Sequence, residues 1–158
     1  AHMIGNGLLS LQKFPDQWAK LVADPSLAAS ATEEILRYES SLVGTNRTAF
    51  KDVTLGKKTI HAGERVLTLV AAGNRDPEIF DAPDIFDIER KGPRHLSFGG
   101  GIHFCVGAEL ARLEGEIAFT TLAKRLPGLK VDVASARWRQ DGFMFRGLTA
   151  LSASWQPL

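Results

Sequence analysis

The sequence predicts an α+β fold that is mostly helical, with small β-sheets. Three observations carry this expectation. Apolar residues Ala108, Leu110, Ala111, Leu113, Ile117, Ala118, Leu122 and Leu126 recur at helical spacing up to Pro127-Gly128, which predicts one long amphipathic helix. Gly44 to Ile60 instead gathers Thr45, Thr48, Phe50, Val53, Thr54, Thr59 and Ile60 around a turn glycine, Gly56, a strand signature. Asn74 to Gly92 is rich in Asp and Pro and keeps no period, so an ordered irregular meander is expected there.

The remaining elements follow in chain order. Ile4, Leu8, Leu9 and Leu11 suit the end of a helix that stops before Pro15-Asp16. Pro15 in a first turn starts a short helix through Val22, closed by Asp24-Pro25. Ser30 and Glu33 have capping-box spacing and predict a helix opening at Ser30 and running to about Tyr38. Glu64 to Val70 reads as a strand or strand-helix junction, and Leu129 to Val133 and Phe143 to Trp155 as short strands joined by polar turns. Ala1-His2-Met3 resembles a cloning remnant before a Met start, leaving residues 4–158 as a single domain.

Bulk properties narrow the function classes. A chain of 158 residues with 44% hydrophobic and 23% charged residues is ordinary for a globular domain and argues against disorder. Balanced charge, 19 basic against 18 acidic side chains, gives no electrostatic case for nucleic acid or an anionic membrane. The longest strongly apolar stretch, Val66 to Ala72, is too short to span a bilayer. A single cysteine excludes an internal disulfide and a Cys-rich zinc site and suits a reducing cytoplasm.

That cysteine, Cys105, lies in the run Phe98-Gly99-Gly100-Gly101-Ile102-His103-Phe104-Cys105-Val106-Gly107, just ahead of the long helix. A thiolate at a helix entrance is stabilised by free backbone N–H groups and the positive end of the dipole, which makes Cys105 a candidate soft ligand for iron. The alternative is a buried cysteine acting as a small hydrophobe. A dinucleotide-binding loop does not fit, because the glycine spacing lacks its final Gly and no βαβ context surrounds it. A Cys-His hydrolase is also weak: Cys105 and His103 lie two apart, and nothing marks an orienting acid.

Phe98-Gly99-x-Gly101-x-His103-x-Cys105-x-Gly107, the upstream pair Glu34 and Arg37, and Asn74-Arg75-Asp76-Pro77 between them together resemble the C-terminal part of a bacterial cytochrome P-450, a heme-thiolate monooxygenase. The similarity runs from Ile4 to Trp155 and includes Gly44-Thr45-Asn46-Arg47-Thr48 and Arg146-Gly147-Leu148. The resemblance implies heme b as cofactor, with Cys105 as proximal iron ligand whose thiolate donates electron density. It implies that Phe98 shields the sulfur and that Gly99, Gly107 and the other loop glycines let the backbone pass close under the porphyrin. Arg47, His95 and His103 match positions that contact the heme propionates. Each has a simpler reading: Arg47 pairing across a strand, His95 as a turn residue, His103 packed under the loop. Glu34 and Arg37 are expected to form a buried ion-pair network supporting the loop. The family's frequent third basic partner, just before Phe86, is here Ile85, so that partner is either missing or supplied from elsewhere.

The resemblance also implies a longer family member whose N-terminal portion holds most of the substrate pocket and a distal helix with a proton-delivering acid and Thr. Residues 4–14 contain neither an acid nor a Thr. The expectation is a truncated chain, starting after that motif, that does not hydroxylate substrate alone. Surfaces of the 108–126 helix and of the Glu34 helix are then expected to be exposed, and the first helix free to pack on or swap with a second copy, giving a homo-oligomer. The function classes in play are the heme-binding part of a monooxygenase served by a ferredoxin-type electron donor facing Lys91, Arg94 and Arg112, a non-catalytic oligomerising remnant, and a heme-binding module without monooxygenase activity.

Overall fold

A computed structural model describes residues 2–156 of the chain; Ala1, expected as part of a cloning remnant, lies outside the described residues. Three helices open the fold: α1 (His2–Lys13), α2 (Pro15–Ala23) and α3 (Ala28–Tyr38), the last two joined by a 3-10 turn at Pro25–Leu27. Strands β1 (Thr45–Thr48), β2 (Val53–Leu55), β3 (Lys58–Ile60) and β4 (Arg65–Thr68) follow, then one helical turn, α4 (Val70–Gly73). After the meander and the cysteine loop come α5 (Ala108–Arg125) and the pairs β5 (Lys130–Val131), β6 (Arg137–Trp138), β7 (Leu148–Ala150) and β8 (Ala153–Ser154). All sheets are two-stranded and antiparallel: β1 with β4, β2 with β3, β5 with β8 and β6 with β7. This is the α+β architecture the patterning predicts.

One element expectation needs correction. Helix α3 starts at Ala28 rather than at Ser30, whose hydroxyl donates to the Leu27 carbonyl inside the helix. The initiating polar group is Asp24, whose carboxylate accepts from the Ser26 amide at 3.0 Å and so starts the 3-10 turn leading into α3. The buried stripe of α5 is Ala108, Gly115, Phe119 and Ala123, whereas Leu110, Leu113 and Ile117 are exposed. Gly115 explains this choice. A Cβ there would lie 2.5 Å from Thr32 Cγ2 on α3, so the helices meet on the face with the smallest residue.

The core gathers Leu11, Leu21, Ile35, Phe86, Phe119 and Ala123, drawn from α1, α2, α3, the meander and α5. Helix α1 is therefore committed to its own chain, contrary to the expectation of a free first helix. Leu9 and Leu11 are buried, and Asn6 donates to the carbonyls of Glu39 and Arg146. The expected exposed apolar face of α3 is likewise missing: Ala28, Ala31, Thr32, Glu34, Ile35, Leu36 and Arg37 are buried, and the outward side carries Ala29, Ser30 and the partly exposed Glu33. No described helix is long and apolar enough to cross a membrane.

Candidate functional site

The cysteine loop is held from beneath by a polar network that begins at Glu34. Its carboxylate and the Arg37 guanidinium form a two-pronged pair at 2.7 and 2.8 Å, both side chains almost wholly buried. Arg37 Nη1 donates to the carbonyls of Asn74 and Pro83, each at 2.9 Å, and Nη2, besides pairing with Glu34, donates to that of Ile85 at 3.1 Å. The Asp87 amide closes the other side of the carboxylate at 2.9 Å. The third basic partner is Arg90, whose Nε lies 3.2 Å from Glu34 Oε1. The third partner is supplied from elsewhere, one of the two alternatives the sequence left open, from a later turn of an irregular meander that follows no fixed spacing. The network thus satisfies the donors that make a buried guanidinium tolerable.

Asn74 passes the restraint to the loop. Its side-chain amide donates to Ser97 Oγ at 2.8 Å, and its Oδ1 accepts from the Leu96 amide at 2.6 Å. Ser97 Oγ in turn donates to the Leu36 carbonyl at 2.6 Å. Past that anchor, Gly99 and Gly101 take φ of +70° and +59°, a left-handed conformation that favours glycine. The Cys105 amide donates to the Phe98 carbonyl at 2.9 Å, which folds the loop back before α5. Gly107 forms the N-terminal boundary of α5.

A cleft of about 440 Å³ opens above this loop. Arg47 and Thr45 on β1 form one wall, Phe98 to Gly100, His103 and Cys105 another, and Phe145 a third. Cys105 is exposed, so the buried-hydrophobe alternative fails. Arg47 bonds only the adjacent Asn46 carbonyl among the described residues, and makes no cross-strand ion pair. His103 is exposed in the cleft and not packed under the loop. Of the candidate residues, Arg47, Phe98, Gly99, His103 and Cys105 meet in one place.

His95 departs from the propionate position that the resemblance implies. Its side chain is 5% exposed; Nδ1 accepts from the Ser97 amide at 3.1 Å and Nε2 lies 3.4 Å from Glu33. That second separation suits an ion pair but lacks hydrogen-bond alignment. Glu33 finds its firmer partner in Arg112, with contacts of 2.8 and 3.2 Å. Burial pushes the Glu33 carboxyl up, but His95 and Arg112 together outweigh it and hold the group down at about 2. Arg112 also pairs with Glu109 at 2.8 Å, so it is not the free docking cation expected from the sequence.

The cleft's chemistry suits a flat, apolar, dianionic iron complex: apolar walls, two cationic or proton-bearing side chains, and one sulfur that is a soft metal donor. Among the described residues no cluster of three or more His, Cys, Asp or Glu groups has the makings of an all-protein metal site. The family model for cytochrome P450 matches residues 19–132. The chain belongs to the cytochrome P450 family. It is 45% identical over 156 residues to a biotin biosynthesis cytochrome P450 of Bacillus subtilis (strain 168), covering 98% of this chain and 39% of that protein. Among solved P450 structures, CYP109Q5 from Chondromyces apiculatus superposes with a TM-score of 0.93 at 39% identity, covering 99% of this chain and 40% of that one. P450BioI, solved in complex with an acyl carrier protein ligated to hexadec-9Z-enoic acid, gives 0.93 at 45% identity, covering 98% and 40%. The chain thus spans about two fifths of the length of these P450 relatives. The cofactor of the family is heme b.

Proposed function

We propose that this chain forms the heme-thiolate half of a P450 monooxygenase, with Cys105 as the proximal iron ligand. The observation that carries the reading is the single cleft in which an exposed thiol, Arg47 and His103 share apolar walls. Heme b, when bound, would supply a redox-active iron. The chain's residues bind and orient that group. Cys105, two residues ahead of Gly107 at the boundary of α5, would offer its sulfur to the iron. Arg47 and His103 offer charge-assisted hydrogen bonds to the two carboxylates. Gly99 and Gly107 keep the backbone thin at either end of the loop, and Phe98 keeps water from the sulfur. His95 acts on the loop from below.

On this reading hydroxylation would be a property of a whole P450, of whose length these residues span about two fifths. Electrons would come from a ferredoxin-type donor, with exposed Lys91 and Arg94 available to an acidic face. A cytoplasmic location suits the single free cysteine. The reading is tested by heme reconstitution, followed by reduction under carbon monoxide. We expect the red-shifted Soret band of thiolate-ligated heme in the parent chain and its loss in Cys105→Ser. A histidine-type Soret band that survives Cys105→Ser would overturn the assignment.

One observation favours a second, non-catalytic reading alongside this one. Leu110, Leu113 and Ile117 are 61, 52 and 57% exposed along one side of α5, a contiguous apolar face of the kind that associates. The chain is expected to sediment as a homodimer or larger species at micromolar concentration. A well-folded monomer that persists at high concentration would refute self-association.

A further inference from the structure

Besides the Ser97 anchor on Leu36, Phe98 links α3 to the cysteine. Its carbonyl accepts the Cys105 amide, so the Cys105 backbone is registered on Phe98. The Phe98 ring is held by two neighbours: the Arg112 guanidinium carbon lies 4.8 Å from the ring centroid, and the His95 ring lies 5.5 Å away, centroid to centroid. Both neighbours lead to the same carboxylate. Glu33 accepts two hydrogen bonds from Arg112 and faces His95 Nε2. Glu33 is adjacent to Glu34 in sequence yet has different partners: Glu34 turns into the meander, while Glu33 spans to α5 and the loop.

We infer that Glu33 is a positioning residue for Cys105, acting through Arg112 and His95 on Phe98. The physical basis is shared restraint. A two-pronged carboxylate–guanidinium pair fixes the plane of the guanidinium as well as its position. A guanidinium so fixed over an aromatic face limits the ring's travel, and the cation–ring attraction reinforces it. The buried His95, anchored at Nδ1 by the Ser97 amide, holds the ring from another direction. One carboxylate thereby constrains two side chains that meet on one ring, and that ring's residue carries the Cys105 hydrogen bond. The functional meaning rests on the reading of Cys105 as the iron ligand; the clamp itself does not.

A simpler role for Glu33 is to tie α3 to α5 through Arg112, which would protect both helices equally. Residue-resolved hydrogen exchange on the full heme-free chain separates the two. Glu33 is 42% exposed, so Glu33→Gln leaves the core intact. We expect about tenfold faster exchange at the Cys105 amide in Glu33→Gln, with the Ile35 and Phe119 amides changed less than about twofold. Arg112→Lys, which keeps the charge but loses the planar fork, is expected to speed Cys105 exchange in the same selective way. Equal acceleration along α3 and α5, or no change at Cys105, would overturn the inference. The Soret band of the reconstituted parent chain decides the ligand reading separately, so failure of that reading and failure of the clamp are distinguishable.

Discussion

Glu34→Ala is expected to destabilise the chain by about 3–5 kcal/mol, the cost of leaving a buried charge without its counter-ion. Arg37 is the charge left behind. Its side chain is 3% exposed, and the carbonyls of Asn74, Pro83 and Ile85 satisfy its donors without neutralising it. The same substitution strips Arg90 and the Asp87 amide of their shared acceptor. Exposed pairs set the contrast: Lys20–Glu89 is about half exposed on both sides, and solvent screening makes breaking it far less costly. Urea denaturation of the two variants measures the difference. Parity between Glu34→Ala and Lys20→Ala would mean that the network carries no weight. Because Arg37 also bonds the Asn74 carbonyl, and Asn74 holds Leu96 and Ser97, we expect the cysteine loop to lose order before the helices do.

Phe86→Ala is expected to cost about 3–5 kcal/mol through the transfer and cavity terms of a buried aromatic. Phe86 is 1% exposed, with the Phe14 and Tyr38 ring centroids at 5.4 and 5.2 Å. Its position in the chain adds a second effect. The preceding carbonyl, of Ile85, accepts from Arg37 and Arg90, and the following amide, of Asp87, donates to Glu34. The ring therefore sets the backbone on which the ion network closes. The double variant with Glu34→Ala should lose less than the sum of the two single losses, by about 0.5–3 kcal/mol of coupling. Strict additivity in denaturant midpoints would show that core and network are independent.

Much of the fold was legible because local rules govern it. Pro15 and Asp24-Pro25 bracket α2 within one residue of the expected limits, and Pro127 follows α5 closely. The β-branched run with Gly56 produces β2 and β3 about a left-handed glycine turn. Ser30 misled because capping-box spacing is also met inside a helix, where a serine hydroxyl bonds back to an earlier carbonyl. The leucines of α5 mark a different limit. Periodicity identifies an apolar face, but whether the chain covers that face depends on a partner surface, and here Gly115 and Phe119 offer the closer fit to α1 and α3.

The candidate site divides the same way. The cysteine loop, Arg47 and His103 were named from the sequence, because the family resemblance rests on an order of glycines, histidine and cysteine that is written in the chain. The long-range partners were not. Arg90 in place of a basic residue at position 85, Asn74 as the tie to Ser97, and His95 turned toward Glu33 each depend on which side chain an irregular segment brings within about 3 Å, a distance set by packing. The sequence by itself determined the family and the helix-rich α+β class, and it named Cys105, the only cysteine, as the proposed sulfur donor. Tertiary structure decided what holds that sulfur in place: hydrogen bonds and ion pairs between residues 20 to 80 positions apart follow the closure of the core, and no local spacing encodes them.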